Sequence, residues 1–305
     1  MEDPDITAIR RFNRFYTQTI GALDSRFLGT EASLPEARLL FEIATREPVT
    51  ASVLQDALGM DAGYLSRMIA RFAARGWIVR ARRDDDARSH DLHLTEAGRD
   101  AFAVIDQRQS GAVGDLLGTV AGQARRDLVE ALTRARLLLD PASGGPFVIR
   151  PFRPSEPAMI AARQSVLYRD SHGWGRDVEV IESEVTAAFL RNINAEREQC
   201  WVAEIDGVMA GAVFVTDEGD DIARLRLLHV EPFARRRGIG EALVGECVRF
   251  ARATGYRALV LWTQTVLESA RRIYAAHGFA CVESAMHERF GIPLQGESWR
   301  LEFAA

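Results

Sequence analysis

The stretch Arg224–Gly240, RLRLLHVEPFARRRGIG, constrains this chain more than any other. Leu225, Leu227, Leu228 and Val230 form a short apolar run that Pro232 ends, the pattern of a buried strand. Three arginines, Arg235, Arg236 and Arg237, then run into Gly238, Ile239 and Gly240. Beyond Glu241, Leu243, Val244, Cys247, Val248 and Phe250 recur at helical spacing. A strand therefore empties through a basic, glycine-bearing turn into a helix. The first turn of a helix offers unpaired N–H groups and the positive end of a dipole, and glycines there let a bulky anion reach the backbone. The stretch predicts a phosphate-binding turn.

What is missing narrows the kind of turn. A P-loop needs a lysine and a Ser or Thr after its second glycine, but Gly240 is followed by Glu241 and Ala242, and the chain has no lysine. A dinucleotide fingerprint needs a third small residue where Leu243 stands, and an acidic residue where Leu261 and Trp262 stand. The pattern R-x-x-G-x-G remains, filled by Arg235, Gly238 and Gly240. Downstream, Ala258 to Thr263 reads as a second buried strand, and Leu267 to Phe279 as a helix with a glycine stop at Gly278. Strand, R-x-x-G-x-G, helix, strand and A-x-x-x-Y-x-x-x-G-F, taken in this order, resemble the core of the GNAT acyltransferase superfamily.

That resemblance implies an α+β fold with a central mixed, mostly antiparallel sheet and acetyl-CoA as the donor substrate. It further implies that the residues from Arg235 to Glu241 hold the coenzyme A diphosphate and that Val230 pairs with the pantetheine arm. The Leu228 N–H would face the thioester oxygen, and Tyr274 would protonate the departing thiolate. Amine attack on a thioester develops charge first on oxygen, then on sulfur, so a fixed N–H and a phenol suit the two stages. Where some relatives carry a glutamate base this chain has Arg224, and Leu267 replaces a frequent asparagine. His229 or Glu231, directly or through water, are then the candidates for the base.

The first half of the chain reads differently. Ile6, Ile9, Phe12, Phe15, Tyr16 and Ile20 give a helical stripe on a first helix ending near Leu28. Ser33-Leu34-Pro35-Glu36 is a capping box opening a second helix that Pro48 stops. Thr50 caps a short helix broken at Gly59, and Asp61 caps another halted at Gly76, a helix-turn-helix candidate. On the second of these helices Tyr64, Arg67 and Arg71 line up opposite the apolar face, a row able to hold phosphates and reach base edges. Two short strands around RDDDAR follow, and Thr95 caps a long helix. The stretch GWIVRARRDDDARSHDLHLTEAG, with D-x-R and then L-T-x-x-G, resembles the MarR family of transcriptional regulators. That resemblance implies a mainly α winged helix-turn-helix over residues 1–140 in which Arg88, oriented by Asp86, enters the minor groove. It also implies a homodimer, joined through the terminal helices, on a palindromic site in double-stranded DNA.

Composition supplies the remaining bounds. At 305 residues with 47% hydrophobic content, two domains are expected, and a net charge of -5 does not advertise a nucleic-acid binder. Cys200, Cys247 and Cys281 sit among apolar neighbours, so buried reduced thiols are expected, and no metal site is. No membrane span is visible, and the expected location is cytoplasmic. Residues 141–146 (PASGGP) read as a linker and residues 147–305 as the second domain. Tyr168, His172 and Trp174, around the S-H-G-W-G loop, are the candidate contacts for an amine acceptor, whether a small molecule or a protein. The expected protein is a regulator that also acetylates an amine directly in a ternary complex; the alternative is a regulator whose second domain senses acetyl-CoA or a metabolite without turnover.

Overall fold

In the computed structural model, which describes residues 3–24, 26–82 and 90–303, the first helix, α1 (Pro4–Thr19), starts where Asp3 accepts a hydrogen bond from the Asp5 amide at 2.9 Å. It ends at Thr19 and not near Leu28, because the chain turns at Gly21, whose φ of +64° suits glycine, and a single 3-10 turn then covers Phe27–Gly29. None of its residues is buried. Next, α2 (Leu34–Arg46) opens as the capping box predicts, with the Ser33 amide and hydroxyl both donating to Glu36 at 2.9 Å. A short strand β1 (Val49–Thr50) leads into α3 (Ala51–Leu58), and α4 (Ala62–Ala74) follows, its Tyr64 amide capped by Asp61 at 2.9 Å. β2 (Ile78–Arg82) and β3 (His90–Leu94) pair antiparallel, and β1 adds to the other side of β3. Leu39, Leu40, Ile43, Leu54, Leu65, Met68 and Phe72 fill the core beneath this helix-turn-helix and hairpin.

The L-T-x-x-G pattern has a local cause. Thr95 caps α5 (Glu96–Gly118) by accepting from the Gly98 amide at 3.0 Å, while its own hydroxyl donates to the Gly76 carbonyl at 2.6 Å. A Cβ on Gly98 would lie 1.9 Å from the Trp77 carbonyl oxygen, so only glycine fits where the helix crosses the start of the hairpin.

Two compact units make up the chain, Met1–Arg125 and Arg126–Ala305, and the border falls inside α6 (Gly122–Leu139), ahead of the 141–146 border read from composition. Leu137 of α6 is wholly buried in the second unit's core beside Ile205 and Val208. The segment composed like a free linker is also fastened there. Arg136 pairs with Asp206 at 2.6 Å, Arg237 donates to the Gly144 carbonyl at 3.0 Å, and a Cβ on Gly144 would meet Leu137 at 2.7 Å.

In the second unit β4 (Phe147–Pro151) is followed by α7 (Glu156–His172) and α8 (Arg176–Asn192). The hairpin β5 (Gln199–Ile205) and β6 (Val208–Asp217) turns at Asp206-Gly207, both at positive φ, as a D-G turn requires. Then come β7 (Ile222–Val230), α9 (Ile239–Ala253), β8 (Ala258–Gln264), α10 (Glu268–Ala276), β9 (Ala280–His287) and β10 (Leu294–Glu302). The sheet runs β4-β5-β6-β7-β8-β10-β9, antiparallel except for the parallel pair β7 and β8. This is the mixed, mostly antiparallel sheet expected. β9 and β10 were not assigned from the sequence. Cys281 sits on the edge strand β9 and is exposed, which corrects the expectation of three buried thiols; Cys200 and Cys247 are buried, and all three are free.

Two irregularities create the site. β7 and β8 pair only from Ile222–Ala258 to Arg224–Val260, although both strands continue, so a gap opens between them. Leu227 adopts φ +52° where the β6–β7 register shifts, the signature of a β-bulge. Gly211 keeps the bulged strand close, since a Cβ there would come within 2.6 Å of the His229 carbonyl oxygen.

Candidate functional site

A cavity of about 770 Å³ in the second unit gathers residues from three separate parts of the sequence. Gln164, Tyr168 and His172 come from α7, and Leu228, His229 and Val230 from the bulged strand. Arg235, Arg236, Gly238, Ile239, Gly240 and Glu241 come from the turn into α9, with Leu267 and Ile273 opposite them.

The turn leaves its backbone donors open. Gly238 occupies the N-cap of α9 at φ +78°, Arg236 stands at φ +62°, and no side chain caps the helix. The Ala242 amide reaches the Gly238 carbonyl at 3.0 Å, so the amides of Ile239, Gly240 and Glu241, which precede it, have no acceptor within the helix. Gly240 is also tightly placed, a Cβ there coming 3.0 Å from Ile273 and 3.7 Å from Val230. The backbone thus forms an anion-binding start with Arg235 and Arg236 beside it. Arg237, grouped with them in the sequence reading, is not on the cavity wall; its guanidinium is spent on the Gly144 and Gly145 carbonyls.

The titratable groups are tuned mainly by burial. His229 is buried, and burial pushes its pKa down to about 4 against the opposing pull of Glu231 and of a hydrogen bond with the Leu227 backbone. It is therefore neutral at pH 7, with a lone pair available. Glu231, the other candidate base, is held by Arg163 at 2.6 and 2.8 Å, with Arg134 at 3.7 Å, and does not line the cavity. Tyr274 is buried in the core with Phe279 and Trp299 at 5.9 and 6.4 Å between ring centres, and is not itself on the cavity wall. Burial raises its pKa far above the usual phenol value, with Tyr168 and Cys247 adding to the shift, so it keeps its proton. Arg224 is paired with Glu218 at 2.9 Å.

Of the acceptor-side candidates, Tyr168 and His172 reach the cavity, and Trp174 stands behind them. The Trp174 ring lies 4.6 Å from Tyr168, 4.9 Å from His172 and 4.7 Å from Phe290, fixing the two wall residues from the rear. Burial pushes Tyr168 up to about 12, and lowers His172, which Arg235 depresses further.

Sequence reasoning missed two groups here. Gln164 donates from Nε2 to the Tyr168 hydroxyl at 3.0 Å and to the Leu228 carbonyl at 3.1 Å, joining α7 to the bulge. Its one trace in the sequence is the i, i+4 spacing to Tyr168. Glu182 of α8 is buried and hydrogen-bonded to the Ser165 hydroxyl, and burial raises it to about 7. The Ser165 hydroxyl is within donating reach of both the Glu182 carboxyl and the Ala161 carbonyl, the latter at 2.9 Å, and its bond to Glu182 opposes the effect of burial.

On the first unit, Tyr64 and Arg67 share a face of α4, the Arg67 guanidinium lying 5.9 Å from the Tyr64 ring centre. Arg71 is turned toward Glu36 at 3.5 Å, with Arg75 at 3.8 Å. Burial alone would raise Glu36, but the Ser33 hydrogen bonds and these two arginines hold it below the usual carboxylate range. Arg88 and Asp86 lie outside the described residues. Among the described residues no group of metal-binding side chains occurs, and no helix is long and apolar enough to cross a membrane.

Residues 32–89 match the MarR family, and residues 166–279 match the Acetyltransferase (GNAT) family. N-acetyltransferase 8 of Homo sapiens is 39% identical over 103 residues, covering 32% of this chain and 44% of that protein. Mycothiol acetyltransferase of Mycolicibacterium vanbaalenii is 34% identical over 100 residues, covering 33% of this chain and 32% of that protein. The chain thus spans less than half the length of either relative. A GNAT-family acetyltransferase structure from Streptococcus pneumoniae aligns over 52% of this chain and 99% of its own, at 20% identity and a TM-score of 0.43.

Proposed function

We propose, for a chain that joins a MarR-family segment to a GNAT acetyltransferase-family segment, that the second unit transfers an acetyl group from acetyl-CoA directly to an amine while the first binds DNA. The observation that carries the enzymatic half is the coincidence, on one cavity, of the β7–β8 gap, the Leu227 bulge and the uncapped start of α9. The amides of Ile239, Gly240 and Glu241, with Arg235 and Arg236, suit a diphosphate, and the gap beside Val230 suits an extended pantetheine arm.

Within that frame the residues take distinct roles. The Leu228 amide stabilises charge on the thioester oxygen. Neutral His229 takes the proton that the amine loses, and Tyr274, which keeps its proton because it is buried, supplies one to the departing thiolate. Tyr168 and His172, backed by Trp174, contact the acceptor. Acetyl-CoA and a panel of amines, followed by thiol release, test this directly: amine-dependent release supports transfer, and its absence alongside tight acetyl-CoA binding supports a sensor. Two observations favour that second reading, the pairing of Arg224 with Glu218 and the apolar Leu267 on the cavity wall.

For the regulatory half, the exposed stripe Ile6, Ile9, Phe12 and Phe15 on α1, a helix with no buried residue, supports a homodimer in which α1 is covered. A two-fold dimer presents two α4 helices, with Tyr64 and Arg67, to a palindromic DNA site in the cytoplasm. Loss of the DNA shift and of the dimer in Phe12→Glu would support this arrangement, and a monomeric wild-type chain would remove it.

A further inference from the structure

The anion-binding turn of the second unit is held from behind by residues that precede β4. Arg237 stands in the middle of that turn, between Arg236 at φ +62° and Gly238 at φ +78°. A residue with a side chain, such as Arg236, rarely adopts positive φ and persists there only where its surroundings over-determine it. The Arg237 side chain supplies that hold. Its guanidinium does not line the cavity and donates instead to the carbonyls of Gly144 at 3.0 Å and Gly145, with that of Pro141 at 3.5 Å. The accepting segment is itself fixed. Arg136 of α6 donates to the Ser143 carbonyl at 2.7 Å and to Asp206 at 2.6 Å, and Asp206 accepts from the Gly145 amide at 3.2 Å. Hydrogen bonds from Arg136 and then Gly145 hold the Asp206 carboxyl below its usual range, and Arg237 adds to the effect, so the Arg237 charge is balanced on this side. The entrance to the same loop is fastened too: buried Glu231, bonded to Arg163, lies 3.7 Å from Arg134 of α6.

We infer that Arg237 is a positioning residue for acetyl-CoA: by clamping the turn to residues 141–145, a strap leading from the end of α6, it presents the Ile239, Gly240 and Glu241 amides in the geometry a diphosphate needs. Arg237 touches neither the diphosphate nor the acetyl group. A cluster of amides binds an anion tightly only when the donors already converge before it arrives, because the cost of ordering them otherwise falls on binding. With the clamp released, Arg236 relaxes out of positive φ, and the amides that follow it turn off the anion. The match to the acetyltransferase family covers residues 166–279, so the strap lies outside the segment that carries the likeness. The acetyl-CoA site therefore extends to residues that the match leaves out.

The role of Arg237 rests on the acetyl-CoA reading of the cavity, and one experiment separates the two. The full-length chain is assayed for thiol release with two donors, acetyl-CoA and S-acetylpantetheine, which lacks the diphosphate. Arg237→Ala should raise the KM for acetyl-CoA by about 10-fold or more with kcat kept, and leave kcat/KM for S-acetylpantetheine within about 2-fold. A clamp that only stabilises the fold would lower both donors alike. Arg136→Ala, which loosens the strap without altering the turn, should raise the acetyl-CoA KM selectively by about 3-fold. Should Arg237→Ala not fold, Arg136→Ala decides, since its side chain is 44% exposed. Equal losses with both donors, or an unchanged KM for acetyl-CoA, would overturn the positioning role alone. If the wild type binds acetyl-CoA but releases no thiol, calorimetric titration with the same two ligands gives the same comparison. If the wild type binds no acetyl-CoA, the acetyl-CoA reading fails and the role of Arg237 falls with it.

Discussion

The helix starts of the two units are built on opposite plans. In the first unit Thr50, Asp61 and Thr95 close the starts of α3, α4 and α5 with their own side-chain oxygens. In the second, α9 begins at Gly238 with no side-chain cap, between two arginines on the cavity wall and a strand that has parted from its neighbour. α7, α8 and α10 also start without a side-chain cap, so what sets α9 apart is Gly238 at positive φ with Arg235 and Arg236 beside it on the cavity wall. The difference teaches that a start suited to an anion is marked not by a missing cap alone but by a glycine backbone, flanking arginines and a space the anion can fill. The polar groups follow the same division. Tyr64, Arg67 and Arg71 are exposed or paired at the surface, while Gln164 and His229 are buried, Gln164 tying α7 to the bulged strand.

The largest expected effect bears on the buried side. Tyr274→Phe should lower turnover by about 10² to 10⁴-fold with acetyl-CoA affinity preserved, measured by thiol release and calorimetric titration. Undiminished turnover would assign the proton donor to another group. On the other unit, Gly98→Ala should cost about 3 kcal/mol or more in the first unit's thermal transition, because its Cβ would meet the Trp77 carbonyl at 1.9 Å. The acetyl-CoA site should survive that change, and a parallel loss there would break the distinction between units.

Glu182 and His229 make opposite contributions across the acid range. Glu182 is raised to about 7 from 4.5, so its share of stability is complete below about pH 4.5 and is lost as pH rises through 7. His229 is lowered to about 4 from 6.5, so its share is present above 6.5 and is lost as pH falls toward 4. Glu182→Gln should therefore be more stable than the wild type at pH 8, by on the order of 3 kcal/mol at ~1.4 kcal/mol per pKa unit. That advantage should vanish below about pH 4.5, and denaturant melts across pH would show it; an equal effect at pH 4 and pH 8 would mean Glu182 is ionised in the fold.

Smaller effects are expected at the exposed side. Arg67→Ala should weaken DNA binding by about 1–3 kcal/mol, or reduce the salt slope by about one where the contact is to phosphate. Arg71→Ala should weaken it less, since Arg71 already faces Glu36, and should instead destabilise the first unit. Equal losses of DNA affinity in the two variants would put both side chains on the DNA. Asp61→Ala should cost about 1 kcal/mol of stability, read from a melt of the first unit, and leave acetyl-CoA binding unchanged.

What the sequence revealed follows the same physical line. The turn from β7 to α9 was legible because apolar runs, a strand-ending proline and glycines at fixed offsets are local signals. The caps at Thr50, Asp61 and Thr95 were legible for the same reason, whereas Gly98 was visible only within the L-T-x-x-G resemblance. Gln164 was not, because its meaning comes from meeting Leu228, far along the chain, at a bulge that depends on strand register. Arg237 looked identical to Arg235 and Arg236 in sequence, and only the folded path of 141–146 turns it away. Residues 1–140 read as one winged domain, whereas the contacts place Leu137 of α6 in the second unit's core. Local patterns thus gave the strand, turn and helix start, and long-range contacts decided which side chains face the cavity.

Titrating acetyl-CoA into the full-length protein and into Gly240→Asp by calorimetry tests the open helix start most directly. A single site in the wild type that weakens at least about 10-fold when a carboxylate is set among the Ile239–Glu241 amides is the predicted result. No binding to the wild type, or binding that Gly240→Asp leaves untouched, would contradict it.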